Sequence, residues 1–369
     1  MQRDIIRGVD VSTLREVEAC GGRFFDGGVE GDALAILRDN GANLVRLRLW
    51  NDPFAEDGTP YGAGGNDLVT VLALAARAKA MGMPWMATIH YSDFWADPGK
   101  QRVPKAWRGM DAAALADAVY AYTRDAMLEM RRRDLVPAYV SIGNEITNGL
   151  LWPLGKAPEF GNIAAFVNAG LRAVREVAPQ VAAMIHLDRG GDNDMYRAWF
   201  DRYFAAGGAD FDAIGLSYYP FWHGPMQGLA DNLSDLAARY DKDLLVVETA
   251  MGFTLEDYGR RERLPEDRRK GMAAKPALAA RVDYPMTPAG QLDFLRDLAA
   301  TIRAVPGGRG LGFVYWEPAW LPVPGSEWAN DAALSYIGER GSGGNEWANL
   351  CLFDYDGNAL PALKGLREI

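Results

Sequence analysis

Apolar and polar positions follow each other along this chain in a repeated two-part pattern. Short runs rich in Val, Ile, Leu and aromatic residues are separated by stretches with helical spacing, as at Leu115, Val119, Tyr122, Ala126 and Met130. The apolar runs cover residues 5–12, 43–50, 84–91, 138–145, 182–188, 213–220, 243–250 and 312–318. Continuous apolar runs are typical of strands buried on both faces, and helical spacing predicts helices between them. Eight strands alternating with helices predict an α/β fold, the (β/α)₈ (TIM) barrel, with a doubly wound open sheet as the alternative.

The connections between these elements indicate one domain with long loops. No Pro-, Gly- or Ser-rich linker interrupts the 369 residues, so we predict a single domain over residues 1–369. The longest connections follow predicted strands two, three, seven and eight. Long loops in a compact domain are usually functional. We therefore expect the functional site at the end of the barrel where these strands finish.

Composition and charge exclude several classes of protein. Hydrophobic residues make up 49% of the chain, which allows a large core and excludes intrinsic disorder. The net charge is −10, whereas nucleic-acid binders usually carry a basic surface. No apolar run approaches a membrane span, and Arg3, Asp4 and Arg7 interrupt any signal peptide. We expect a monomer with no nucleic-acid or membrane partner. Two cysteines, Cys20 and Cys351, exclude a disulfide scaffold but leave one bridge open.

Polar and charged residues stand where the predicted strands end. They are Arg46 and Arg48, His90 to Asp93, Asn144 and Glu145, His186 and Asp188, Tyr218 and Tyr219, Glu248, and Trp316 and Glu317. Reactive groups of barrel enzymes cluster at the C-terminal strand ends, and a charge there is costly unless it is paired or used. One such glutamate is more often a structural ion-pair partner. Two of them, Glu145 and Glu248 on strands four and seven, favour chemistry.

This glutamate pair suits the cleavage of a glycosidic bond. The reaction needs a proton on the leaving oxygen and a nucleophile or base on the other face of the sugar. We expect the two carboxyls roughly 5 Å apart across the barrel mouth, the spacing for retention of configuration. One carboxyl must stay protonated, and the arginines of strand two would keep Glu248 ionised. We interpret Glu317 as a structural or substrate-binding group.

Other chemistries have weaker support in the sequence. The three histidines, His90, His186 and His223, form no HExxH pair, so we predict no catalytic metal. The Asp-Asn-Asp segment at 192–194 is shorter than a calcium loop, and we interpret it as the start of a helix. The chain has no GxSxG elbow, which disfavours a Ser-His-Asp hydrolase.

At these positions the sequence resembles the arabinogalactan endo-β-1,4-galactanases of glycoside hydrolase family 53, retaining (β/α)₈ glycosidases of clan A. The resemblance covers nearly the whole chain. Its motifs are RGVDVS at 7–12, VRLRLWNDP at 45–53, HYSDFWADPG at 90–99, SIGNEI at 141–146, GLLWP at 149–153, SYYPFWHG at 217–224, VET at 247–249, YWEPAW at 315–320 and LFD at 352–354. So many ordered matches are hard to reach by chance.

The resemblance implies roles for individual residues. It implies that Glu145 is the general acid/base and Glu248 the nucleophile of a double displacement. It also implies that Asn144 holds the sugar 2-hydroxyl and that Arg46 orients and ionises Glu248. The other substrate-binding residues that it implies are His90 and Tyr218 around the cleaved sugar, Trp316 beneath its ring, and Trp95, Asp97, Asp188 and Trp347 at neighbouring galactosyl units.

The activity implied by the resemblance is endo-cleavage of β-1,4-galactosidic bonds in (arabino)galactan by a single glycoside hydrolase catalytic domain. The expected substrate partner is β-1,4-galactan or a galacto-oligosaccharide. One alternative is a retaining enzyme of the same clan that acts on another β-linked glycan or on short oligomers, because the charged segment 255–275 would narrow the cleft. Another is a non-catalytic carbohydrate-binding barrel, which requires the loss of one carboxylate, and both are present.

The resemblance also bears on cofactors and location. We expect no required cofactor. Some bacterial relatives carry a structural calcium ion in the loops after strands seven and eight, but residues 255–275 lack the Asp/Asn/His alternation that feeds it. The family is typically exported, so an extracellular or periplasmic location is expected. The missing signal peptide leaves a cytoplasmic location open.

Overall fold

The fold is a closed barrel of eight parallel strands, which confirms the (β/α)₈ prediction. The computed structural model describes residues 4–258, 275–341, 343–345 and 347–369. The barrel strands, counted one to eight in chain order, are Ile6–Asp10, Leu44–Leu49, Trp85–Ile89, Tyr139–Ile142, Ala182–Leu187, Ala213–Ser217, Asp243–Thr249 and Gly310–Trp316. Each strand pairs with the next, and strand one closes the barrel on strand eight, with Val9 opposite Tyr315.

Helices cover the outside of the barrel. The helix Ala112–Arg132 begins after Asp111, whose carboxylate accepts a hydrogen bond from the Ala114 amide at 2.9 Å, and it buries Leu115 and Met130 at the predicted spacing. The other described α-helices are Leu14–Ala19, Ala33–Asp39, Leu68–Ala80, Phe160–Val177, Asn193–Ala205, Met226–Tyr240, Pro276–Ala279, Pro288–Arg303, Asp331–Ile337 and Pro361–Gly365. Short 3₁₀ helices cover Lys105–Trp107, Ile146–Asn148, Pro306–Gly308, Ala348–Leu350 and Leu366–Glu368.

A two-stranded antiparallel hairpin, Phe24–Asp26 with Val29–Gly31, lies outside the barrel. The sequence analysis did not predict it. Its turn places Gly27 and Gly28 at φ 59° and 81°, a backbone region that suits glycine. The signal was the Asp-Gly-Gly step at residues 26–28, which is typical of a tight hairpin turn.

The loops differ from the prediction mainly at their starts. Long loops follow strands two, three, seven and eight as predicted, and a further one, residues 143–159, follows strand four. Strand four ends at Ile142 and strand six at Ser217, so both finish three residues earlier than predicted. Residues 259–274, most of the charged segment after strand seven, lie outside the described residues, as do residues 1–3 of the N-terminal segment.

The barrel interior has two layers. We call the lower one the apolar plug, and it consists of Leu44, Met86, Met184, Ala213, Leu245, Val247, Leu311 and Val314. Alternate residues of a strand face the same side. The next inward position after Leu44 is therefore Arg46, and the next after Met184 is His186, and both are fully buried. We call this upper layer the charged mouth.

Two smaller expectations are also resolved by the structure. Cys20 and Cys351 are free thiols, so the bridge left open does not form. Cys351 is buried, with its Sγ 3.2 Å from the carbonyl oxygen of Trp320. Within the described part of the chain, no helix combines the length and apolarity needed to cross a bilayer.

Candidate active site

A pocket of about 500 Å³ lies over the C-terminal ends of the barrel strands. It brings together nine of the eleven predicted site residues, namely His90, Trp95, Asp97, Asn144, Glu145, Asp188, Glu248, Trp316 and Trp347. Arg46 is fully buried behind the pocket, and Tyr218 is not part of its lining. Arg48, Tyr219 and Trp222 also line it, although the sequence analysis assigned none of them to substrate binding.

Glu248 reaches the pocket through an irregularity in strand seven. Val247 belongs to the apolar plug, so strict alternation would turn Glu248 to the outer face of the barrel. Leu216 and Ser217 are consecutive in strand six, but their partners in strand seven are Val246 and Glu248. Strand seven therefore contains one extra residue. Such a bulge re-aims the side chains that follow it, and here it brings Glu248 into the mouth.

Arg46 holds the carboxylate of Glu248 from behind. Its Nη2 donates to Glu248 Oε1 at 2.7 Å and to Asn144 Oδ1 at 2.8 Å, and its Nη1 donates to Asp10 Oδ2 at 2.6 Å. Burial raises the pKa of Glu248, and the positive charge of Arg46 opposes that rise. Because a buried carboxylate needs a paired cation, Arg46 has the geometry that its predicted role requires.

The structure corrects the choice between two adjacent tyrosines. The Tyr219 hydroxyl donates to Glu248 Oε2 at 3.1 Å. The Tyr218 hydroxyl donates instead to the carbonyl oxygen of Gly224 at 2.9 Å, and its ring stacks on Phe294 of an outer helix. Strand six ends just before this pair, so the two side chains leave in different directions. Tyr219 occupies the position that was predicted for Tyr218.

Glu145 lies in a tight backbone turn after strand four. Its φ of 49° is unusual for a residue other than glycine, and Gly143 before it has φ 83°. Such conformations cluster at functional sites. The Oε1 atom of Glu145 lies 2.6 Å from Ser217 Oγ. Burial, followed by the charges of Glu248 and Asp188, raises the pKa of Glu145 well above its usual value. Of the two carboxyls, Glu145 therefore has the environment that more strongly favours the protonated form.

His90 presents an unused hydrogen-bond donor to the pocket. Its Nδ1 accepts from Trp50 Nε1 at 3.2 Å and from the Ala96 amide at 3.3 Å. Burial, with the charges of Arg46 and Arg48, holds the pKa of His90 well below its usual value, so the ring is neutral with its proton on Nε2. That Nε2 is buried without a hydrogen-bond partner among the described residues. It is available to a sugar hydroxyl.

Five indole rings line the pocket, and four of them lie at large angles to one another. Trp347 lies between Trp316, at 90° and 5.9 Å between ring centroids, and Trp222, at 86° and 6.0 Å. Trp95 contacts Trp316 at 47°. Trp222 is 38% exposed, and the signal that it belongs to the site was its position in the loop directly after strand six. The rings form a corner and not a flat platform.

Arg48 and Glu317 form a buried ion pair at 2.6 Å beside the pocket. Glu317 also accepts from the Thr13 hydroxyl at 2.6 Å and does not line the pocket, so the structural interpretation of Glu317 fits. The Arg48 guanidinium stacks 4.5 Å above the ring of Trp95, and its Nε and Nη2 have no hydrogen-bond partner within the described residues. Its position two residues after Arg46, on the same strand face, was the signal that it enters the mouth.

Two aspartates at the rim of the pocket differ in their partners. Asp97 pairs with Lys100 at 2.6 Å and accepts from the Gly99 amide at 2.8 Å. Asp188 is 8% exposed, and its Oδ1 makes no hydrogen bond in the described parts of the chain, with Arg189 Nε at 3.6 Å. Burial raises the pKa of Asp188. Asp188 therefore has the freer oxygen for a ligand hydroxyl.

No metal centre is visible in the described residues. Nowhere among them are three or more His, Cys, Asp or Glu side chains grouped as metal ligands. The segment after strand seven on which the calcium expectation depended lies mostly outside the described ranges. The expectation that the chemistry needs no cofactor stays a prediction.

Comparison with known proteins places this site in a family. The family model described as glycosyl hydrolase family 53 matches residues 6–366. A solved GH53 catalytic domain from Ignisphaera aggregans is 40% identical, covers 99% of this chain and 96% of its own, and has a TM-score of 0.90. A solved fungal β-1,4-galactanase is 31% identical, covers 99% and 100%, and has a TM-score of 0.80. The endo-β-1,4-galactanase of Bacillus subtilis is 34% identical over 99% of this chain and 86% of its own length. The chain belongs to glycosyl hydrolase family 53.

Proposed function

We propose that this protein is an endo-acting β-1,4-galactanase that cleaves galactan with retention of configuration by a double displacement. The observation that carries the proposal is the contrast between two carboxyl groups in one pocket. Glu145 has a raised pKa and is buried beside a hydroxyl, whereas Glu248 is paired with a buried arginine. A protonated acid and an ionised nucleophile are the two groups that a retaining glycosidase needs. Relatives at 31% and 34% identity that carry the name galactanase supply the substrate class.

In the first step, Glu145 gives its proton to the glycosidic oxygen while Glu248 attacks the anomeric carbon. The bond from that carbon to the leaving oxygen breaks, and the leaving sugar departs with the proton. Glu248 is then joined to the remaining sugar by an ester bond. Arg46 and Tyr219 each donate a hydrogen bond to Glu248, and these two bonds fix the direction of attack.

In the second step, the roles of the two carboxyls change. Glu145, now ionised, takes a proton from a water molecule, and the water oxygen attacks the same carbon from the opposite side. The ester bond breaks, Glu248 leaves as a carboxylate, and Glu145 is protonated again. Two inversions at one carbon give net retention. Asn144 and His90, which line the pocket beside Glu145, are assigned to hydroxyls of the cleaved sugar.

The shape of the aromatic walls supports a bent sugar chain. Galactose carries an axial 4-hydroxyl, so a β-1,4-galactan chain turns where a cellulose chain runs flat. Trp316, Trp347 and Trp222 meet at angles of 90° and 86°, which suits successive sugar rings that face different directions. We assign Trp316 to the sugar at the cleavage point and the other two indoles to its neighbours. Asp188 is assigned to a hydroxyl of a neighbouring unit.

A substrate panel tests this proposal. Purified β-1,4-galactan, mannan, xylan and cellulose are incubated with the protein, and viscosity and reducing ends are followed together. We expect galactan to be the preferred polymer, with viscosity falling well before most reducing ends appear. Higher activity on mannan or cellulose would overturn the substrate assignment. A viscosity that falls only in step with reducing ends would overturn endo-cleavage.

A further inference from the structure

Two buried side chains behind Glu145 form a continuous line of polar contacts. Ser217 Oγ lies 2.6 Å from Glu145 Oε1 and 2.8 Å from His186 Nε2. His186 Nδ1 lies 3.1 Å from Asn144 Oδ1. Ser217 and His186 are 0% exposed, and neither lines the pocket. The reaction steps above give them no role.

The hydrogen positions along this line follow from the neighbouring groups. Asn144 Oδ1 accepts from Arg46, which can only donate, and Asn144 Nδ2 donates to the carbonyl oxygen of Ala96 at 2.9 Å. The His186 nitrogen that faces Oδ1 must therefore carry a hydrogen. Burial and the charge of Arg46 hold the pKa of His186 well below its usual value, so the ring is neutral. Its Nε2 is then a bare acceptor that faces Ser217.

Ser217 has one hydroxyl hydrogen for two acceptors. When Ser217 donates to His186 Nε2, its oxygen is free to accept a hydrogen bond from Glu145. All three groups are then satisfied only if Glu145 carries its proton on Oε1. When Glu145 is a carboxylate, Ser217 donates to that charge, because hydrogen bonds to charged groups are stronger, and His186 Nε2 loses its donor. The two patterns exclude each other, and they match the acid and the base forms of Glu145.

We propose that Ser217 is a hydrogen-bond switch, set by His186, that ties the protonation state of Glu145 to the direction of one hydroxyl. This proposal rests on the proposed function, in which Glu145 alternates between acid and base. In the resting enzyme, Ser217 points to His186 and Glu145 keeps its proton. Glu145 presents that proton to the leaving oxygen by rotation about its Cγ–Cδ bond, and Ser217 turns towards the carboxyl. The proton taken from water in the second step reverses the turn, and the Ser217 hydrogen never leaves its oxygen.

The switch requires opposite pKa changes when its two members are replaced. Ser217→Ala removes the donor to the carboxylate, so the pKa of Glu145 rises. His186→Asn keeps an amide N–H for Asn144 but removes the acceptor at Nε2, so Ser217 donates to Glu145 permanently and the pKa of Glu145 falls. One hydrogen bond to a charged group changes a pKa by about 1 pH unit. We therefore expect the pKa of Glu145 to rise by that amount in Ser217→Ala and to fall by that amount in His186→Asn. A structural role alone gives no reason for opposite signs.

Other charged and titratable groups face the same two residues. Those that face Glu145 are Glu248, Asp188 and Asp97, together with the hydroxyls of Tyr219 and Tyr196. Arg46 and His90 face His186. All of them are retained in the variants. The two pKa changes are therefore measured against the same background.

The experiment titrates Glu145 directly in the whole protein. Carbon-13 NMR of protein labelled at glutamate carboxyls gives the pKa, and Glu145→Gln identifies the signal. We expect a rise in Ser217→Ala, a fall in His186→Asn, and a smaller change in His186→Gln, whose side-chain oxygen replaces Nε2. In the double variant, the pKa should equal that of Ser217→Ala alone. Changes of the same sign, or no change, would overturn the switch.

The pH profile of kcat/KM and the variant Ser217→Thr provide independent tests of the switch. On galactan, the basic limb of the kcat/KM profile should move with the pKa of Glu145, to higher pH in Ser217→Ala and to lower pH in His186→Asn. If His186→Asn does not fold, Ser217→Ala must still raise the pKa and Ser217→Thr must restore it. The titration needs no substrate, so a wild-type protein inactive on galactan would overturn the proposed function and leave the switch to be judged by NMR.

Discussion

The apolar plug and the charged mouth are consecutive layers of one barrel, but they are stabilised in opposite ways. Leu44 and Arg46 are two residues apart on strand two, and Met184 and His186 are two residues apart on strand five. The plug gains stability because apolar surface leaves water, and it needs no specific partner. The mouth buries charges, each of which must be matched. On these two strands the apolar layer and the chemical layer are therefore only two residues apart, and substitutions in the two layers should have different effects.

The largest effect is expected at the centre of the mouth, from Glu248→Ala. Loss of the nucleophile should lower kcat by about 10⁴-fold or more. Azide is small enough to take the place of the carboxylate, so it should restore turnover and give a glycosyl azide of inverted configuration. Turnover with and without azide, with NMR of the product, measures this. A variant that azide does not rescue would argue against Glu248 as the nucleophile.

Removal of Arg46 should strongly lower the stability of the protein, because its charge is fully buried. Arg46→Met leaves Asp10 and Glu248 buried without their partner, so the free energy of unfolding should fall by about 3–5 kcal/mol in urea titrations. The pKa of Glu248 should also rise, because Arg46 holds it down, and the acid limb of the kcat/KM profile should move to higher pH. Arg132→Met, at an exposed pair with Glu129, is the control and should leave stability nearly unchanged. Equal stability of the two variants would show that the buried ion pairs of Arg46 contribute no more than an exposed pair.

A substitution in the apolar plug should lower stability and leave activity unchanged. Leu245→Ala creates a cavity in a close-packed layer, so the free energy of unfolding should fall by about 2–5 kcal/mol. The kcat/KM of the folded enzyme should stay near the wild-type value, because no plug residue lines the pocket. Urea unfolding and initial rates on the same preparation measure both quantities. A large loss of kcat/KM with normal stability would show that the two layers are coupled.

The adjacent tyrosines provide a matched pair at the edge of the mouth. Tyr219→Phe removes one hydrogen bond to a charged carboxyl and should lower kcat/KM by about 10–100-fold. Tyr218→Phe removes a bond to a backbone carbonyl away from the pocket and should leave kcat/KM unchanged. Steady-state kinetics of the two variants decide between them. The opposite ranking would restore Tyr218 to the site.

The smallest effect is expected from chelators. The proposed steps use carboxyl groups and water alone, so prolonged dialysis against EDTA should leave kcat unchanged. Elemental analysis before and after dialysis provides the control that any bound ion was removed. A loss of kcat that one specific metal restores would show that the mouth works with a metal and not with carboxylates alone.

The sequence predicted the barrel strands more readily than the details of the mouth. Eight apolar runs gave the strands because a buried parallel strand must be apolar on both faces. The predicted ends were three residues too late at strands four and six. At strand six the aromatic residues Tyr218 and Tyr219 continue the apolar run beyond the last strand residue, Ser217. The direction of a side chain changes with each residue, and the resemblance that implied Tyr218 did not separate it from the adjacent Tyr219.

Other features of the site depend on contacts that no local pattern contains. The bulge in strand seven is visible only as a shift of partners between strands six and seven. The line from Glu145 through Ser217 to His186 joins three different strand ends, and each residue alone looks like a satisfied buried polar group. Trp222 and Arg48 had signals in the sequence, but their place in the pocket depends on how the loops fold over the barrel.

The central claim is that Glu145 and Glu248 cleave β-1,4-galactan by two displacements at one carbon. Proton NMR of the anomeric region during the first minutes of galactan hydrolysis tests it most directly, because mutarotation has not yet mixed the products. The account predicts that the β-anomer of the new reducing end appears first and that the α-anomer grows only as mutarotation proceeds. An α-anomer formed first would mean a single displacement and would contradict the roles given to both glutamates.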